Sequence, residues 1–339
     1  MPERTHRAIP AFLIILLLLP AACAFANETI VMDNGDRLNG HVVAMSDGVL
    51  EFETGYAGKI KIDWKHVREI SSEGSFEVLR ANKEITAVKV LRQEGGHLLL
   101  DGRSEPAGEI LKVKPADWET GRASWIGGEI DAAVKLERGN TRENRTDVRG
   151  RLEWKKTRHR VRLGGELEYG RTDGTVSSNR WSVETSYDTT VSKRFYYGAR
   201  TSLRSDELAD LNHRWTAGPH LGYRLIDTHR SKLHVETGFD YASENYRMRD
   251  EGRFLAESWR IEFNHFLVPD KLELYHRDSG LVSMGSIGGV SFESWNGMKL
   301  PIAGGLHTSA EIKTSYNGDA PPEATMWDVV YRLKIGYQW

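Results

Sequence analysis

A histidine and a serine stand two residues apart in His307-Thr308-Ser309, a spacing that nucleophilic catalysis uses. Residues two apart on an extended strand share one face, so the imidazole could take the serine proton and activate the hydroxyl. One hypothesis is therefore a lipid-modifying enzyme. The apolar residues nearby alternate in the other phase, at Leu306 and Ala310, which turns the histidine and the serine inward, away from lipid. We assign no catalytic residues and expect no enzymatic activity.

The histidines of the chain offer little for a metal ion. The twelve of them show neither an H-x-H nor an H-E-x-x-H pattern, the spacings that bring two imidazoles to one metal. We expect His213, His220 and His234, which fall on long amphipathic segments, to form ordinary hydrogen bonds inside the fold. The sequence therefore predicts no metal site and no cofactor.

Charged residues of both signs recur at alternate positions of these segments, opposite the apolar residues. Arginine and carboxylate form charge-assisted pairs. Such pairs could fill the interior as a structural plug or line a narrow polar pore, and we expect a mostly closed interior. The predicted lumen charge network comprises Arg149, Arg151, Glu153, Arg162, Glu166, Glu168, Arg214, Arg224, Glu236, Arg260, Glu262, Arg332 and Lys334, and further inward charges are Arg200, Asp240, Glu273, Arg277 and Lys313.

The elements that would position these charges are long amphipathic strands. From about Ser124 onward apolar and polar residues alternate, with Ile126 and Ile130 on one face and Glu129 and Asp131 on the other. About twelve such segments follow one another, each long enough for the roughly 9–11 residues that a transmembrane strand needs. An even strand number is typical of closed bacterial barrels. We predict an all-β fold with a twelve-stranded antiparallel transmembrane β-barrel.

Connection lengths alternate along the same region. The connections at 157–159, 191–193 and 269–270 are tight, whereas RTDGTVSSN, SENYRMRDEG and NGDAPPEA are longer and polar. Short periplasmic turns and long external loops are the outer-membrane pattern. Both ends of the barrel then lie on the short-turn side, which places the preceding domain in the periplasm.

The chain ends on an amphipathic strand, YRLKIGYQW. We expect this strand to close the barrel against the first one, with its last aromatic ring at the membrane interface, and to act as the signal that barrel-assembly machinery reads. The residues of this C-terminal assembly signal are Tyr331, Leu333, Ile335, Tyr337 and Trp339. Closure should also join Arg149, Arg151 and Arg332 to Glu153, Glu166 and Glu168.

The N-terminal segment and the overall charge limit the possible compartment and partners of the protein. The net charge of the 339 residues is -2, with no basic patch among aromatics, so nucleic acid is not an expected partner. Residues 1–26 combine Arg4 and Arg7, the apolar run AFLIILLLLP and an A-x-A site, which predicts a secretory signal peptide. Cys23 either leaves with this segment or, because LPAAC resembles a lipoprotein box, carries a lipid.

Shorter strands precede the barrel. Asn34-Gly35 and Asp47-Gly48 are hairpin signals, and a second stretch with the same order of strands and turns suggests two related modules that pack together. We expect a signal peptide at 1–26, a periplasmic β-domain at 27–115, a linker at 116–123 and the barrel at 124–339. A soluble β-sandwich is the alternative, against which strand length and the alternating turns argue.

Particular stretches resemble a known family. GNTREN, GYRLIDT and the final YRLKIGYQW resemble the DUF481 proteins, also called salt-induced outer membrane proteins of the YdiY type, and NGDRLNGHVV resembles their SH3-like or Sm-like module. The resemblance implies the outer membrane of a Gram-negative bacterium and a part in envelope and salt-stress adaptation, and it supplies no catalytic residues. A small porin-like channel and a binding protein acting through external loops are the alternatives. Expected partners are outer-membrane lipid, barrel-assembly machinery and an unidentified periplasmic partner of the N-terminal domain.

Overall fold

The structure is a computed structural model that describes residues 27–81, 84–137, 142–248, 250–284, 289–318 and 325–339. For Ala107, Leu136 and Glu137 it describes the backbone alone. The predicted signal peptide with Cys23, and parts of the connections GNTREN, SENYRMRDEG, DSGLVSMGS and NGDAPPEA, lie outside the described residues. Within the described part, no helix is long and apolar enough to cross a membrane.

Nine strands of the described chain form an N-terminal antiparallel sheet in the order β4-β3-β2-β1-β5-β6-β7-β8, with β9 paired to both β2 and β5. Asp47 and Gly48 both have positive φ angles, 53° and 79°, as a two-residue hairpin turn between β2 and β3 requires. The strands are β1 Glu28–Met32, β2 Arg37–Ser46, β3 Val49–Thr54, β4 Gly58–Asp63, β5 Val67–Arg80, β6 Ile85–Glu94, β7 His97–Leu100, β8 Arg103–Pro106 and β9 Ile110–Val113.

This domain repeats one order of elements. Strands β1 to β4 lead through the 3-10 turn Trp64–His66 into the first half of β5, and its second half, with β6 to β8, leads through Ala107–Glu109 into β9. The last strand of each half returns to that half's first strand. Buried side chains of both halves, including Phe52 and Leu91, belong to one hydrophobic cluster. Each half is too small to bury a core alone, so the two share one.

The connection between the two domains is held against one end of the barrel, here called the near rim; the opposite end is the far rim. It contains the short helix α1, Asp117–Thr120, and the Thr157 backbone N–H donates to the Trp118 carbonyl oxygen over 2.6 Å. Lys61 Nζ lies 2.7 Å from Asp270 Oδ2 in a near-rim turn. This hydrogen bond holds the pKa of the Asp270 carboxyl below its ordinary value. The N-terminal domain therefore sits at the near rim.

Twelve strands, β10 to β21, close into an antiparallel barrel in chain order, which confirms the predicted fold. Ile130 of β10 lies opposite Tyr337 of β21, so the last strand pairs with the first. The strands are β10 Trp125–Glu137, β11 Glu143–Lys156, β12 His159–Thr172, β13 Thr175–Thr190, β14 Phe195–Asp206, β15 Leu211–Asp227, β16 Ser231–Tyr246, β17 Gly252–Val268, β18 Leu272–Ser283, β19 Val290–Ala303, β20 Leu306–Asn317 and β21 Trp327–Gln338.

Side chains alternate between the two faces of every barrel strand. Apolar residues such as Ile130 and Leu163 are exposed on the outer surface, at 47% and 46%, while Asp131 and Glu168 are buried in the lumen. Because the side-chain period of a strand is two, the apolar phase of the sequence determines which charges point inward.

The prediction of a long loop at RTDGTVSSN is wrong. Strand β12 continues to Thr172 and β13 begins at Thr175, which leaves a two-residue turn. Asp173 and Gly174 have φ angles of 51° and 84°, the backbone of a type I′ turn that fits the twist of a hairpin. The polar residues after the turn belong to the strand at the far rim. Polarity alone therefore does not indicate a loop at this position.

Candidate functional site

The lumen of the barrel is a network of buried charges. Glu168 is only 1% exposed and accepts hydrogen bonds from three guanidinium groups, those of Arg145, Arg180 and Arg332. Ser178 Oγ donates to the same carboxylate over 2.7 Å. One carboxylate thus neutralises part of the charge of three arginines, an arrangement that buried charge requires.

A second cluster joins the first strands of the barrel to the last ones. Arg149 Nη1 donates to Glu311 Oε2 over 3.0 Å and also lies 3.4 Å from Glu166. Lys334 donates to Glu311 over 2.7 Å, and Lys313 to Glu166 over 3.1 Å. Both carboxylates are therefore shared between cations from different strands, as expected where two lone pairs on each oxygen are available.

A third cluster lies on the other side of the lumen. Arg162 Nη2 is 2.7 Å from Glu236 Oε1 and 3.3 Å from Asp188 Oδ2, and its Nη1 is 3.6 Å from Glu262. Arg200 Nη1 donates to the second oxygen of Glu236 over 3.2 Å. Each guanidinium group reaches more than one acid, and these contacts hold five strands together from the inside, β12, β13, β14, β16 and β17.

Some pairs span the lumen itself. Arg204 of β14 and Glu293 of β19 belong to strands five apart in the barrel, yet their side chains meet at 3.4 Å. Arg260 of β17 lies 2.5 Å from Glu184 of β13. A long side chain that crosses the centre occupies the volume that a continuous channel would need. These cross-lumen pairs divide the interior.

Two sizeable cavities lie between the crossing side chains in the described part of the chain. One, of about 270 Å³, lies in the middle of the lumen and is lined by both signs of charge; the other, of about 390 Å³, lies toward the far rim. Arg204 and Arg214 line both cavities, and Arg214 Nη1 donates to Ser291 Oγ over 3.2 Å. The guanidinium groups therefore stand between the two spaces.

The structure brings together only part of the predicted contacts. Arg332 meets Glu168 as expected. Arg151 instead pairs with Glu129 of the neighbouring strand over 2.8 Å, and Glu153 lies 2.8 Å from Lys155 near the end of its own strand. The alternation of the sequence gives the face of the strand on which a side chain lies. The stagger between the barrel strands decides which side chains lie at the same height in the lumen and can therefore pair.

Some members of the predicted charge network bond to groups other than acids, and the prediction omitted some acids that belong to the network. Arg224 donates to the Lys193 carbonyl oxygen and to Thr190 Oγ1 over 3.1 and 3.2 Å. The predicted set omitted Glu311 and Asp188, two of the most shared carboxylates. Both lie in the inward phase of their strands, so the same alternation could have identified them. The remaining predicted residues have these partners: Arg214 with Glu244, Asp240 with Arg200, Glu273 with Asn264, and Arg277 over the Tyr275 ring.

Glycines on the lumen side let long side chains cross a whole strand. Tyr196 OH donates to Glu236 over 2.9 Å, passing over Gly222 on the strand between them. A Cβ on Gly222 would lie 2.1 Å from the tyrosine ring. Tyr275 reaches Glu311 in the same way, also over 2.9 Å, across Gly297. No side chain larger than hydrogen fits at these crossings.

The His-x-Ser pair points into the lumen, where it forms no catalytic arrangement in the described structure. His307 Nε2 lies 2.8 Å from Asp131 Oδ1, while Ser309 Oγ is buried without a hydrogen-bond partner among the described residues. Glu129, Asp131 and His307 have possible ligand atoms within 4.8 Å of one another. Lys299 Nζ lies 2.6 Å from Glu129, so an ammonium already occupies a carboxylate oxygen that a metal ion would need. We assign no metal to this cluster.

The proposed assembly signal lies on the outer surface of the last strand. The backbone N–H and carbonyl of Trp339 bond with Gly128 over 3.0 and 3.2 Å, and its ring stacks on Tyr337 with centroids 6.1 Å apart. The exposed fractions along the strand are 76% for Tyr331, 80% for Leu333, 67% for Ile335, 44% for Tyr337 and 52% for Trp339.

Comparison with known proteins identifies one matching family and several solved structures with similar folds. The family model described as "Protein of unknown function, DUF481" matches residues 130–339. No curated protein matches the chain. The family match covers the barrel, so it concerns the part of the chain that holds the charged lumen.

Solved structures with similar folds include outer-membrane barrels. The NanC porin is 8% identical with a TM-score of 0.41, and the match covers 62% of this chain and 98% of that one. The translocator domain of the autotransporter NalP from Neisseria meningitidis is 13% identical with a TM-score of 0.34, covering 63% and 87%. The outer membrane channel DcaP of Acinetobacter baumannii is 10% identical with a TM-score of 0.32, covering 93% and 94%. At such identities the likeness concerns the fold alone.

Proposed function

The chain belongs to the family described as "Protein of unknown function, DUF481", and we propose that this member is a non-enzymatic outer-membrane barrel with an interior held closed by ion pairs. Its role is in envelope adaptation, including adaptation to salt. The observation that supports the closed interior is the set of cross-lumen pairs, above all Arg204 with Glu293 at 3.4 Å. Partly buried pairs such as this one, with side chains 29% and 18% exposed, are screened by salt much less than exposed pairs, so such an interior stays closed as ionic strength changes.

A narrow channel is the second candidate. The cavities of about 270 and 390 Å³ share Arg204 and Arg214 as lining residues, so movement of these two side chains would join them. In this second candidate function, the two arginines gate a polar path, and the protein conducts small solutes only when they move apart.

Conductance across a planar lipid bilayer distinguishes the two candidates. We expect small, infrequent openings for the unmodified protein. Arg204→Ala combined with Glu293→Ala should raise the single-channel conductance several-fold, because both halves of a cross-lumen pair are removed together. Arg247→Ala with Glu207→Ala is the control, since it removes an Arg–Glu pair of 2.8 Å outside the barrel strands. Large, steady conductance of the unmodified protein would overturn the closed interior.

The proposed topology places the N-terminal domain in the periplasm. Its support is the near rim, where Lys61 contacts the turn that contains Asp270 and the short connections gather. Protease added to intact cells should then cut only in far-rim connections such as 247–251, and never in residues 27–115. Cleavage of the N-terminal domain from outside would require the inverted orientation. The expected partners are barrel-assembly machinery, outer-membrane lipid and a periplasmic protein that binds this domain.

A further inference from the structure

The seam between the first and last strands is paired over a short length. Strands β11 and β12 form fourteen residue pairs, from Glu143 with Thr172 to Lys156 with His159. Strands β10 and β21 form four, which end at Ala132 opposite Ile335. Two backbone hydrogen bonds between Gly128 and Trp339 extend the pairing only toward the near rim. In the described structure, the far half of this seam has no ladder.

Both strands continue beyond the last pair. Strand β10 runs on to Glu137, and β21 begins at Trp327, eight residues before Ile335. Facing edges such as Val134 and Leu333 would pair if the register simply continued, yet no pairing joins them in the described residues. Hydrocarbon supplies no hydrogen bonds to strand edges, so such a gap in a membrane must be lined by water or by a bound polar group.

A cavity of about 1100 Å³ opens at this gap. Its lining combines two kinds of residue. On the outer surface it is apolar, with Leu333, Ile312, Ala310, Met298 and Phe263; through the gap it reaches the lumen charges Arg145, Asp147, Glu311 and Arg332. Apolar walls that end at a few convergent polar groups are typical of a ligand site, and this combination suits a molecule with an apolar chain and a polar head.

The lumen end of the cavity has spare hydrogen-bond donors. The buried Nε–H groups of Arg145 and Arg332 form no hydrogen bond in the described structure, although Asp147 Oδ2 lies 3.4 Å from the Arg145 Nε. Arg332 is 6% exposed, and its Nη atoms are engaged by Glu168, Glu311 and Asp147, with Glu166 at 3.5 Å. An unsatisfied donor on a buried charged group costs more than one on a neutral group. Both arginines line the cavity beside the carboxylates of Asp147 and Glu311, and an anionic head that entered it would accept from these two unused donors.

We propose that the open half of the β10–β21 seam is a lateral binding site for an anionic amphiphile. The acyl or alkyl chain lies along the outer groove over Ala310 and Leu333, and a phosphate or carboxylate head passes through the gap to Arg145 and Arg332. The site is separate from the cross-lumen pairs that close the interior, so it is independent of whether the barrel conducts.

Binding of dodecyl phosphate to the purified full-length protein in a non-ionic detergent, measured by native mass spectrometry, tests the proposal. Dodecanol has the same chain without the anion, and inorganic phosphate has the anion without the chain. We expect one bound dodecyl phosphate, held at least about tenfold more tightly than either comparison molecule, a difference of about 1.4 kcal/mol. Equal binding of dodecanol would overturn the anion site, and full competition by inorganic phosphate would overturn the amphiphile.

A matched pair of variants locates the site. Ala310→Trp fills the groove and should weaken binding at least about tenfold, whereas Ala199→Trp adds the same ring on the outer surface of β14, away from the seam, and should leave binding unchanged. The shift of the folded protein on unboiled gels shows that both variants fold. Equal effects of the two substitutions would overturn the location.

Cysteine pairs test the gap without any ligand. Val134→Cys with Leu333→Cys places thiols across the open seam, and Leu152→Cys with Leu163→Cys places them across a paired ladder. A disulfide needs Cα atoms within about 7 Å, so the control pair should oxidise readily and the seam pair should not. Equal oxidation would show a closed seam and overturn the proposal. Disulfide-linked dimers of the seam variant would assign the edge to a second copy of the chain instead.

Discussion

Replacing Glu168 by alanine is expected to destabilise the barrel by about 3–5 kcal/mol, the usual cost of removing one partner from a buried ion pair. Three guanidinium groups, from Arg145, Arg180 and Arg332, converge on this one carboxylate. Without it, their charges repel one another in a lumen where Glu168 itself is 1% exposed. Arg332 keeps longer contacts, with Asp147 at 3.3 Å and with Glu166 and Glu311 at 3.5 Å, which do not replace the contact that is lost.

Urea unfolding of the detergent-solubilised barrel, followed by its mobility on unboiled gels, measures this loss. Glu168→Gln keeps the shape and one acceptor oxygen but not the charge, so its effect should lie between alanine and the unmodified protein. Glu207→Ala is the control, because that carboxylate also pairs with an arginine, Arg247, but in an exposed position. If Glu168→Ala and Glu207→Ala unfold at the same urea concentration, the buried cluster does not stabilise the barrel.

The barrel and the sidedness of its strands could be predicted because both depend on a period of two. The apolar phase at Leu306 and Ala310 places His307 in the lumen, and the structure has it there, bonded to Asp131. Such a prediction needs no information from other parts of the chain, since alternation is a property of each strand alone.

Partners inside the lumen depend on geometry that a single strand does not contain. Arg162 reaches Glu236 four strands away, and Tyr196 reaches the same acid only because Gly222 leaves room. Stagger between strands and the closing register set these heights. Arg151 pairs with none of the expected acids Glu153, Glu166 and Glu168 for this reason, because Glu129 on the neighbouring strand lies directly opposite it.

Because the seam between β10 and β21 is short, the last two residues contribute a large part of its pairing. Gln338 forms one of the four pairs between β21 and β10, and Trp339 adds two backbone hydrogen bonds to Gly128. Deleting both residues should therefore remove much of the closure and prevent accumulation of folded barrel in the outer membrane. Backbone pairing and recognition of the aromatic ring are lost together in that deletion, so a side-chain substitution is needed to separate them.

Trp339→Lys retains the backbone and removes the ring, and we expect it to reduce the outer-membrane level several-fold while synthesis stays normal. A lysine at the interface costs the folded barrel only about 0–1 kcal/mol, so a large effect would come from assembly rather than stability. Trp327→Lys is the matched control, since this residue is the outward aromatic at the other end of β21, 55% exposed against 52% for Trp339. Immunoblots of outer-membrane and total fractions measure both. A similar loss for the two variants would mean that assembly needs aromatic anchoring at either rim and does not read the final residue.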